Sequence, residues 1–337
     1  MSAYPIDRRG FIAAGAALVA TPSFAAAAAP EVRRLSPALD RIIAPGSIVE
    51  TIATGIRWAE GPLWVPGTGL LFSDPPANLM RLWTPKGGAV PFLSPSGAAG
   101  TDPKLVREPG SNGLALAHDG ALLIANSGGR SIDRVDLKTR QRRVVADRFE
   151  GARFNSPNDL HVARSGAIYF TDPPYGFADG DTSPLKEAKQ NGVYRWSPDG
   201  KVALIDGTLT RPNGVALSPD EHRLYVSVSD DTAPRIMIYD LDSHGLPTAS
   251  RVWLDAAPMR VGNAPGLPDG MKVARNGTVF CSVPGGMMVL SPKAEPLGLI
   301  VSGKAIANCA FGEDGATLFM TASDRILRLR LRPGAGM

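Results

Sequence analysis

Six short segments of this 337-residue chain share one pattern, and this internal repeat constrains the fold more than any other feature. Each segment begins with a carboxylate or carboxamide side chain and runs into apolar residues, and a turn and a second apolar run follow. In four of the six segments the turn contains Asp-Gly, Ser-Gly or Asn-Gly, a strong short-range signal for a β-hairpin. The leading residues are Glu60, Asn112, Asn158, Asn213, Asp269 and Asn308.

The spacing of the leading residues indicates a β-propeller. Neighbouring leading residues lie roughly 40 to 55 residues apart, which is the length of one four-stranded blade. Proline and glycine are spread through the chain, and no amphipathic pattern longer than two helical turns follows residue 40. The sequence therefore predicts an all-β fold, a six-bladed β-propeller with four-stranded blades.

The two ends of the repeat region predict how the propeller closes. Residues 47–53 alternate between apolar and polar side chains like a strand, and residues 325–331 alternate with arginines on one face. We expect 48–53 to pair beside 325–331 as the outer part of the last blade. The N-terminal and C-terminal strands would then close residues 47–333 into a single catalytic domain.

The first 29 residues are typical of a twin-arginine export signal. Paired arginines in Asp7-Arg8-Arg9-Gly10-Phe11 precede an alanine-rich apolar run, and small residues as far as Ala25 supply a cleavage site. The apolar run is short for a membrane span, so we expect no stable membrane insertion after cleavage and a periplasmic or secreted protein. An uncleaved anchor or a disordered N-terminus is the alternative. Residues 30–46, rich in Pro, Arg and Ala, are expected to form a linker.

Charge and reactive side chains exclude several classes of function. The formal net charge is +4 without a basic cluster, which argues against a nucleic-acid partner. The two cysteines, Cys281 and Cys309, lie in apolar strand patterns of different predicted blades, so we expect buried free thiols rather than a disulfide. The four histidines form no triad, and no Gly-X-Ser-X-Gly motif accompanies them, which argues against a serine hydrolase.

The leading residues also predict a cation site. If each hairpin opens with the innermost strand of its blade, the six side chains form a ring at one end of the central channel. A single Asn there is usually a turn or cap residue, but no turn requires Glu60 or Asp269. Two carboxylates that face one channel repel each other unless a cation lies between them. Carboxylate and carboxamide oxygens suit Ca²⁺, with Mg²⁺ or Mn²⁺ as alternatives and Zn²⁺ less expected.

Two further features concern the mouth of the channel. Residues 94–110, 173–190 and 255–268 are long and poor in strand pattern, and such insertions usually shape the functional face of a propeller. A Phe-x-Asp-Pro-Pro motif occurs twice, with Asp74 in blade one and Asp172 in blade three. Either the two aspartates share turn chemistry or they have a role in the site.

Five motifs occur with a characteristic order and spacing, namely Trp58-Ala-Glu60-Gly-Pro-Leu-Trp, Phe154-Asn-Ser-Pro-Asn158-Asp-Leu, Tyr169-Phe-Thr-Asp-Pro-Pro-Tyr-Gly176, Arg211-Pro-Asn213-Gly-Val-Ala-Leu-Ser-Pro-Asp and Leu267-Pro-Asp269-Gly-Met. In this order and spacing they resemble the gluconolactonase-like family, which includes senescence marker protein and luciferin-regenerating enzyme and consists of six-bladed propeller lactonases. The resemblance extends over about residues 48 to 331.

The resemblance implies a divalent metal held by Glu60, Asn213 and Asp269. It puts Asn158 beside the metal, as a ligand or as a contact of the substrate. Asn112 is not a ligand in most of the family, so we expect it to line the channel and contact substrate.

Two further positions follow from the resemblance. Asn308, like Asn112, is expected to line the channel without binding the metal. Some family members grip substrate hydroxyls with an arginine two positions before the third-blade asparagine. Ser156 stands there in this chain, which leaves Arg153 as the nearest candidate for substrate binding.

The implied reaction is metal-dependent hydrolysis of a sugar-derived lactone, such as gluconolactone, to the aldonic acid. The cation would polarise the lactone carbonyl, Asp269 would assist the attack of water, and Glu60 would be a structural ligand. One alternative is a broader esterase or organophosphate hydrolase on the same metal. Another is a non-catalytic propeller that binds a ligand, with the metal as a structural plug. The sequence does not define the oligomeric state.

Overall fold

The computed structural model describes residues 29–336, and in it six antiparallel blades follow one another along the chain, each built on four strands and one extended by a fifth. The predicted six-bladed β-propeller is therefore confirmed. The innermost strands of consecutive blades lie side by side, and the innermost strand of the sixth blade packs beside that of the first. Helical elements within residues 29–336 are limited to four 3-10 helices at Pro37–Arg41, Pro75–Ala77, Gly180–Thr182 and Ala257–Met259. No helix within the described range has the length and apolar character needed to cross a bilayer.

The strands are numbered in chain order, from β1 (Glu31–Arg34) and β2 (Val49–Thr54). Blade one contains β3 (Glu60–Val65), β4 (Gly69–Asp74), β5 (Leu79–Thr84) and β6 (Gly88–Leu93). Blade two contains β7 (Ser111–Leu116), β8 (Leu122–Asn126), β9 (Ser131–Val135) and β10 (Arg142–Ala146), and a small hairpin of β11 (Arg148–Phe149) and β12 (Ala152–Arg153) follows it. Blade three contains β13 (Leu160–Val162), β14 (Ile168–Asp172), β15 (Gly192–Trp196) and β16 (Val202–Asp206).

Blade four contains β17 (Pro212–Leu217), β18 (Arg223–Val228), β19 (Arg235–Leu241) and β20 (Pro247–Asp255). Blade five contains β21 (Met271–Val273), β22 (Val279–Val283), β23 (Gly286–Leu290) and β24 (Pro296–Val301), and blade six contains β25 (Asn308–Gly312), β26 (Thr317–Ala322) and β27 (Arg325–Arg330) together with β2.

Pairing between the two ends of the repeat region closes the ring. Strand β2 is the outermost strand of blade six and runs antiparallel to β27, with Val49 opposite Leu329 and Thr54 opposite Arg325. The predicted pairing of 48–53 beside 325–331 is confirmed. Because the first segment of the ring completes the last blade, the propeller has no break at this position.

Residues 30–46, predicted as a linker, are instead packed onto blade five. Strand β1 adds a fifth strand to this blade by pairing with β24. The following 3-10 helix buries Leu39 completely, together with Ile42 and Ile43, in the apolar cluster between blades five and six. The linker prediction was based on composition, since Pro, Arg and Ala dominate this segment. It was wrong because the few apolar residues of the segment recur at spacings of three and four, share one face and can therefore be buried together. The predicted export signal at 1–29 lies outside the described residues, apart from its last position.

Apolar side chains fill the spaces between neighbouring blades, and each of the six interfaces has its own buried cluster. Between blades one and six, Trp64 stacks on Phe319 with ring centroids 5.4 Å apart. Between blades two and three, Phe154 and Tyr194 pack against strands of both blades. Both cysteines are buried free thiols, as predicted. These clusters hold the six blades as one rigid support for the side chains in the channel.

Glycines let the innermost strands approach each other around the channel. In blades one, two, four and five the residue after the leading residue is glycine, at positions 61, 113, 214 and 270. A Cβ atom on Gly214 would lie 2.2 Å from the Asp269 carbonyl oxygen, and one on Gly61 would lie 2.0 Å from the Asn112 carbonyl oxygen. The Asn-Gly and Asp-Gly pairs at the leading positions therefore provide backbone contact between blades, not a turn.

The repeated aspartates have the same structural role in two blades. Asp74 accepts hydrogen bonds from the backbone N–H groups of Arg57 and Trp58, which precede the innermost strand of blade one. Asp172 accepts from the backbone N–H of Asn155 at 2.7 Å, at the corresponding place in blade three. Neither aspartate lines the cavity described below. The Phe-x-Asp-Pro-Pro motif thus fixes the loop that leads into the site, which is the turn-chemistry interpretation of this motif.

Candidate metal and substrate site

One end of the central channel opens into a cavity of about 500 Å³. The three long segments predicted to shape the mouth all contribute to it, with Glu108 from 94–110, Tyr175 from 173–190 and Leu267 from 255–268. A cavity of this size accommodates a small organic molecule. Five of the six leading residues line its floor, namely Glu60, Asn112, Asn158, Asn213 and Asp269.

The leading side chains reach the cavity because the innermost strands are irregular at these positions. In blades one, two and four the register between the first two strands shifts just after the leading residue, for example between Glu60 and Leu63. Such a bulge redirects a side chain out of the regular alternation of a strand. In blades three and five, Asn158 and Asp269 precede the strand, and the Asn158 backbone bonds to Thr171 and Gly113 on either side.

Glu60 is a buried carboxylate held in place by two donors. The indole N–H of Trp58 donates to Oε1 at 3.3 Å, and the backbone N–H of Gly61 donates to Oε2 at 3.2 Å. Burial, and then the nearby charge of Asp159, raises the pKa of Glu60 to about 8. These two donors restrain the orientation of the carboxylate toward the cavity.

Asn213 lines the cavity with its carboxamide in a fixed orientation. Its Nδ2 donates to the hydroxyl of Ser229 at 3.0 Å, whereas its Oδ1 is buried and accepts no hydrogen bond from the described residues. Because buried carbonyl oxygens in proteins usually have a partner, this oxygen is a candidate ligand for a cation at the site.

Asp269 lies across the same cavity and is partly exposed to it. Burial raises the pKa of Asp269 well above its usual value, and the charges of Glu60, Asp159 and Glu108 raise it further. Burial likewise raises the pKa of Glu108 to about 7. The charges of Asp159 and Glu108 therefore make ionisation of Glu60 and Asp269 less favourable.

Asn308 is buried and contacts the opposite blade across the central channel, and it is not among the residues that line the cavity. Its Nδ2 donates to Oδ2 of Asp159 at 3.4 Å, and its Oδ1 accepts from the backbone N–H of Cys309 at 2.8 Å. Cys309 stands where four other blades have a glycine after the leading residue.

Arg153 is not brought to the site either. It lies in the small hairpin after blade two, where its Nη2 donates to the Gly129 carbonyl at 2.7 Å and its backbone N–H donates to Glu187. The arginines that line the cavity are Arg107 and Arg260, both from mouth segments. The structure therefore does not bring the predicted Arg153 to the cavity, because its guanidinium holds the hairpin.

Sequence reasoning did not identify several residues in and beside the cavity, among them Glu108, Tyr175, Ser229 and the neighbouring Asp159. Glu108 and Tyr175 lie in mouth segments that are not part of the internal repeat, so the spacing of the leading residues could not identify them. Ser229 follows β18 outside every quoted motif. Asp159 had a detectable signal, because it occupies the position of the glycine after the leading residue in four other blades.

The donor set fits a hard divalent cation. Two carboxylates and three carboxamides line the floor. The two cavity arginines are paired with other residues of the mouth: Arg107 Nη2 donates to the Tyr175 carbonyl at 2.7 Å, and Arg260 Nη2 lies 3.5 Å from Asp231. Within residues 29–336, no three His, Cys, Asp or Glu side chains are grouped so that they could hold a metal alone. A cation here would need carboxamide oxygens as well, and the free Oδ1 of Asn213 is one.

Fold and site together define a class, the six-bladed propellers with an oxygen-donor site at the mouth of the central channel. Within that class the chain belongs to the SMP-30/gluconolactonase/LRE-like family, which it matches over residues 58–324. It is 50% identical over 307 residues to a gluconolactonase of Zymomonas mobilis, an alignment that covers 90% of this chain and 86% of the relative.

Solved structures are similar over most of the chain. A gluconolactonase from Xanthomonas campestris superposes with a TM-score of 0.76 at 29% identity, covering 90% of this chain and 97% of that one. Regucalcin from Agrobacterium tumefaciens superposes with a TM-score of 0.64 at 19% identity, covering 83% and 92%. At that identity the second similarity concerns the fold alone.

Proposed function

We propose that this protein hydrolyses a sugar-derived lactone, such as gluconolactone, to the aldonic acid, with a divalent cation held by Glu60, Asn158, Asn213 and Asp269. The observation that carries the proposal is the convergence of Glu60 and Asp269 on one cavity whose lining also includes Asn213, a residue with a buried and unpaired Oδ1. The 50% identity to a gluconolactonase over 90% of this chain supports the substrate class.

Ca²⁺ is the cation that this donor set favours. All of the oxygens come from carboxylates and carboxamides, which are hard ligands, and no histidine or cysteine lines the cavity within the described residues. Mg²⁺, Mn²⁺ and Zn²⁺ are the alternatives. When bound, such an ion supplies Lewis acidity toward a carbonyl oxygen.

The protein's own residues supply positioning and a proton acceptor. Glu60 is restrained by Trp58 and Gly61 and so acts as a fixed ligand. Asp269 accepts a proton from water as the water oxygen forms a bond to the lactone carbonyl carbon. The ring C–O bond then breaks, and the same proton passes from Asp269 to the departing ring oxygen. Asn112 and Asn158 offer carboxamide donors and acceptors to substrate hydroxyls.

Lactone opening can be measured directly. Purified protein would be assayed on glucono-1,5-lactone by pH-stat, with correction for spontaneous hydrolysis, in EDTA and after Ca²⁺, Mg²⁺, Mn²⁺ or Zn²⁺ is restored. We expect acceleration that EDTA abolishes and one cation restores. Absence of acceleration with every cation would overturn the proposal, and assays on carboxylic esters and phosphotriesters would then separate a broader hydrolase from a binding protein.

We also propose that the protein is exported to the periplasm by its N-terminal twin-arginine segment. The support is sequence alone, the Arg8-Arg9 pair before a short alanine-rich run. Fusion of residues 1–45 to a reporter that is active only after export tests this, with Arg8→Lys and Arg9→Lys together as the control. Export that is unchanged by the double substitution would contradict the proposed route.

A further inference from the structure

The hydroxyl of Ser229 lies between the two blades that contribute Asn213 and Asp269. Ser229 follows β18 of blade four, and its Oγ donates to the carbonyl oxygen of Pro268 at 2.5 Å. Pro268 is the residue directly before Asp269. On its other side, Ser229 Oγ accepts from Nδ2 of Asn213 at 3.0 Å. One side chain therefore connects the segments that carry two of the proposed ligands.

The chemistry of a hydroxyl determines which way the Asn213 carboxamide faces. A serine hydroxyl has one proton to donate. Because that proton is engaged by the Pro268 carbonyl, Ser229 can only accept from Asn213, and only the NH₂ end of a carboxamide can donate. Nδ2 must therefore face Ser229, which leaves Oδ1 directed away from it, buried and without a protein partner.

We propose that Ser229 is a positioning residue that selects the carbonyl face of Asn213 for the cation and links that ligand to the Asp269 segment. The inference rests on the proposed function, since it assumes a cation at this site. In the absence of Ser229 the carboxamide can rotate and present NH₂, which repels a cation. Partners that orient metal ligands in this way typically contribute about 10- to 100-fold to metal affinity.

The experiment measures Ca²⁺ binding by calorimetry on protein stripped with EDTA, independently of turnover. Ser229→Ala is expected to lower the affinity by about 10- to 100-fold. Ser229→Thr keeps the hydroxyl and should retain most of the affinity. The matched control is Ser227→Ala, which removes a buried serine hydroxyl on β18 that has no hydrogen-bond partner among the described residues, and it should leave the affinity unchanged.

A double-mutant cycle separates positioning from a general loss of structure. If Ser229 acts through Asn213, Ser229→Ala should have little further effect on affinity in an Asn213→Ala protein. If Ser229→Ala does not fold, Ser229→Cys, which retains the volume but accepts hydrogen bonds weakly, takes its place with the same expected loss.

The outcomes distinguish this inference from the proposed function. Wild-type affinity in Ser229→Ala, or in the Ser229→Cys variant that replaces it, would overturn the positioning role and leave the lactonase proposal intact. An equal loss in Ser229→Thr would also overturn it. A wild-type protein that opens lactone but binds none of the four cations would overturn both this inference and the metal part of the proposed function.

Discussion

The Asp159 carboxylate and the Asn308 carboxamide meet across the central channel, with 3.4 Å between Oδ2 and Nδ2. The two residues belong to blades three and six, which lie opposite each other in a ring of six. Asp159 also accepts from the backbone N–H of Leu160, and Asn308 Oδ1 accepts from Cys309, so both side chains are fixed at their own strands. The pair connects opposite blades and holds a carboxylate near Glu60 and Asp269.

Asn308→Ala tests the structural role of this cross-channel pair. The substitution removes two hydrogen bonds and leaves the buried Asp159 Oδ2 without this donor, so we expect the free energy of unfolding to fall by about 1–3 kcal/mol. The measurement is urea denaturation in the presence of EDTA. Asn112→Ala is the matched control, because Asn112 is also a leading residue but its side chain makes no hydrogen bond to the described residues; an equal loss in both variants would contradict the role.

The contact between neighbouring innermost strands makes a second prediction about stability. In Gly214→Ala the added methyl group would collide with the backbone of Asp269, which cannot rotate away as a side chain can. We expect a loss of about 1–3 kcal/mol from overpacking. Gly207→Ala is the control, because the nearest atoms there, at 3.3 Å, belong to the side chains of Gln190 and Leu204, which can adjust. Equal denaturation midpoints for the two variants would be evidence against close strand contact as the reason for glycine.

The sequence predicted the features that local patterns determine, and it missed those that depend on contacts between distant segments. The repeat length and the alternation at 48–53 predicted the blades and their closure because both patterns are local. The repeated position of the leading residues, which is also a local pattern, identified five of the cavity residues. The sequence did not predict that 30–46 packs on blade five, that Asn308 pairs with Asp159 or that Arg153 holds a hairpin. Each of these depends on contacts between segments that are distant in the chain, and no local pattern records such contacts.

The raised pKa values make the stability of the cation-free protein depend on pH. Unfolded Glu60 ionises near 4.5, whereas in the folded protein its pKa is about 8. Between these values the folded state binds the extra proton, so stability falls as the pH rises from about 5 to 8 and is lowest above the folded pKa. Glu108, with a pKa of about 7, adds to the same trend.

Thermal unfolding in EDTA from pH 5 to 8.5 measures this effect. We expect the melting temperature to fall with rising pH in EDTA and to recover with Ca²⁺, because ionised carboxylates are then ligands instead of repelling each other. Glu60→Gln should flatten the profile in EDTA, since it removes one of the titrating groups. A profile that is flat in the wild-type protein would show that these carboxylates do not hold protons in the folded state.

Substitution of Asp269 should remove the proton acceptor, whereas substitution of Glu60 should weaken cation binding. Asp269→Asn keeps an oxygen that can bind a cation but loses the proton acceptor, so we expect the cation to bind with modestly reduced affinity and kcat to fall by about 10²- to 10⁴-fold. Glu60→Gln should instead reduce cation affinity, because it replaces the buried carboxylate that Trp58 and Gly61 hold in place.

Calorimetric titration with Ca²⁺ and lactone assays at saturating Ca²⁺ separate the two effects. Excess cation should largely restore the rate of lactone opening by Glu60→Gln, because the proton acceptor of this variant is intact. No concentration of cation should restore the rate of Asp269→Asn. A full rate in Asp269→Asn would remove Asp269 as the proton acceptor while leaving it as a ligand. Since Glu108 also faces the cavity with a raised pKa, Glu108→Gln would then be the next variant to assay.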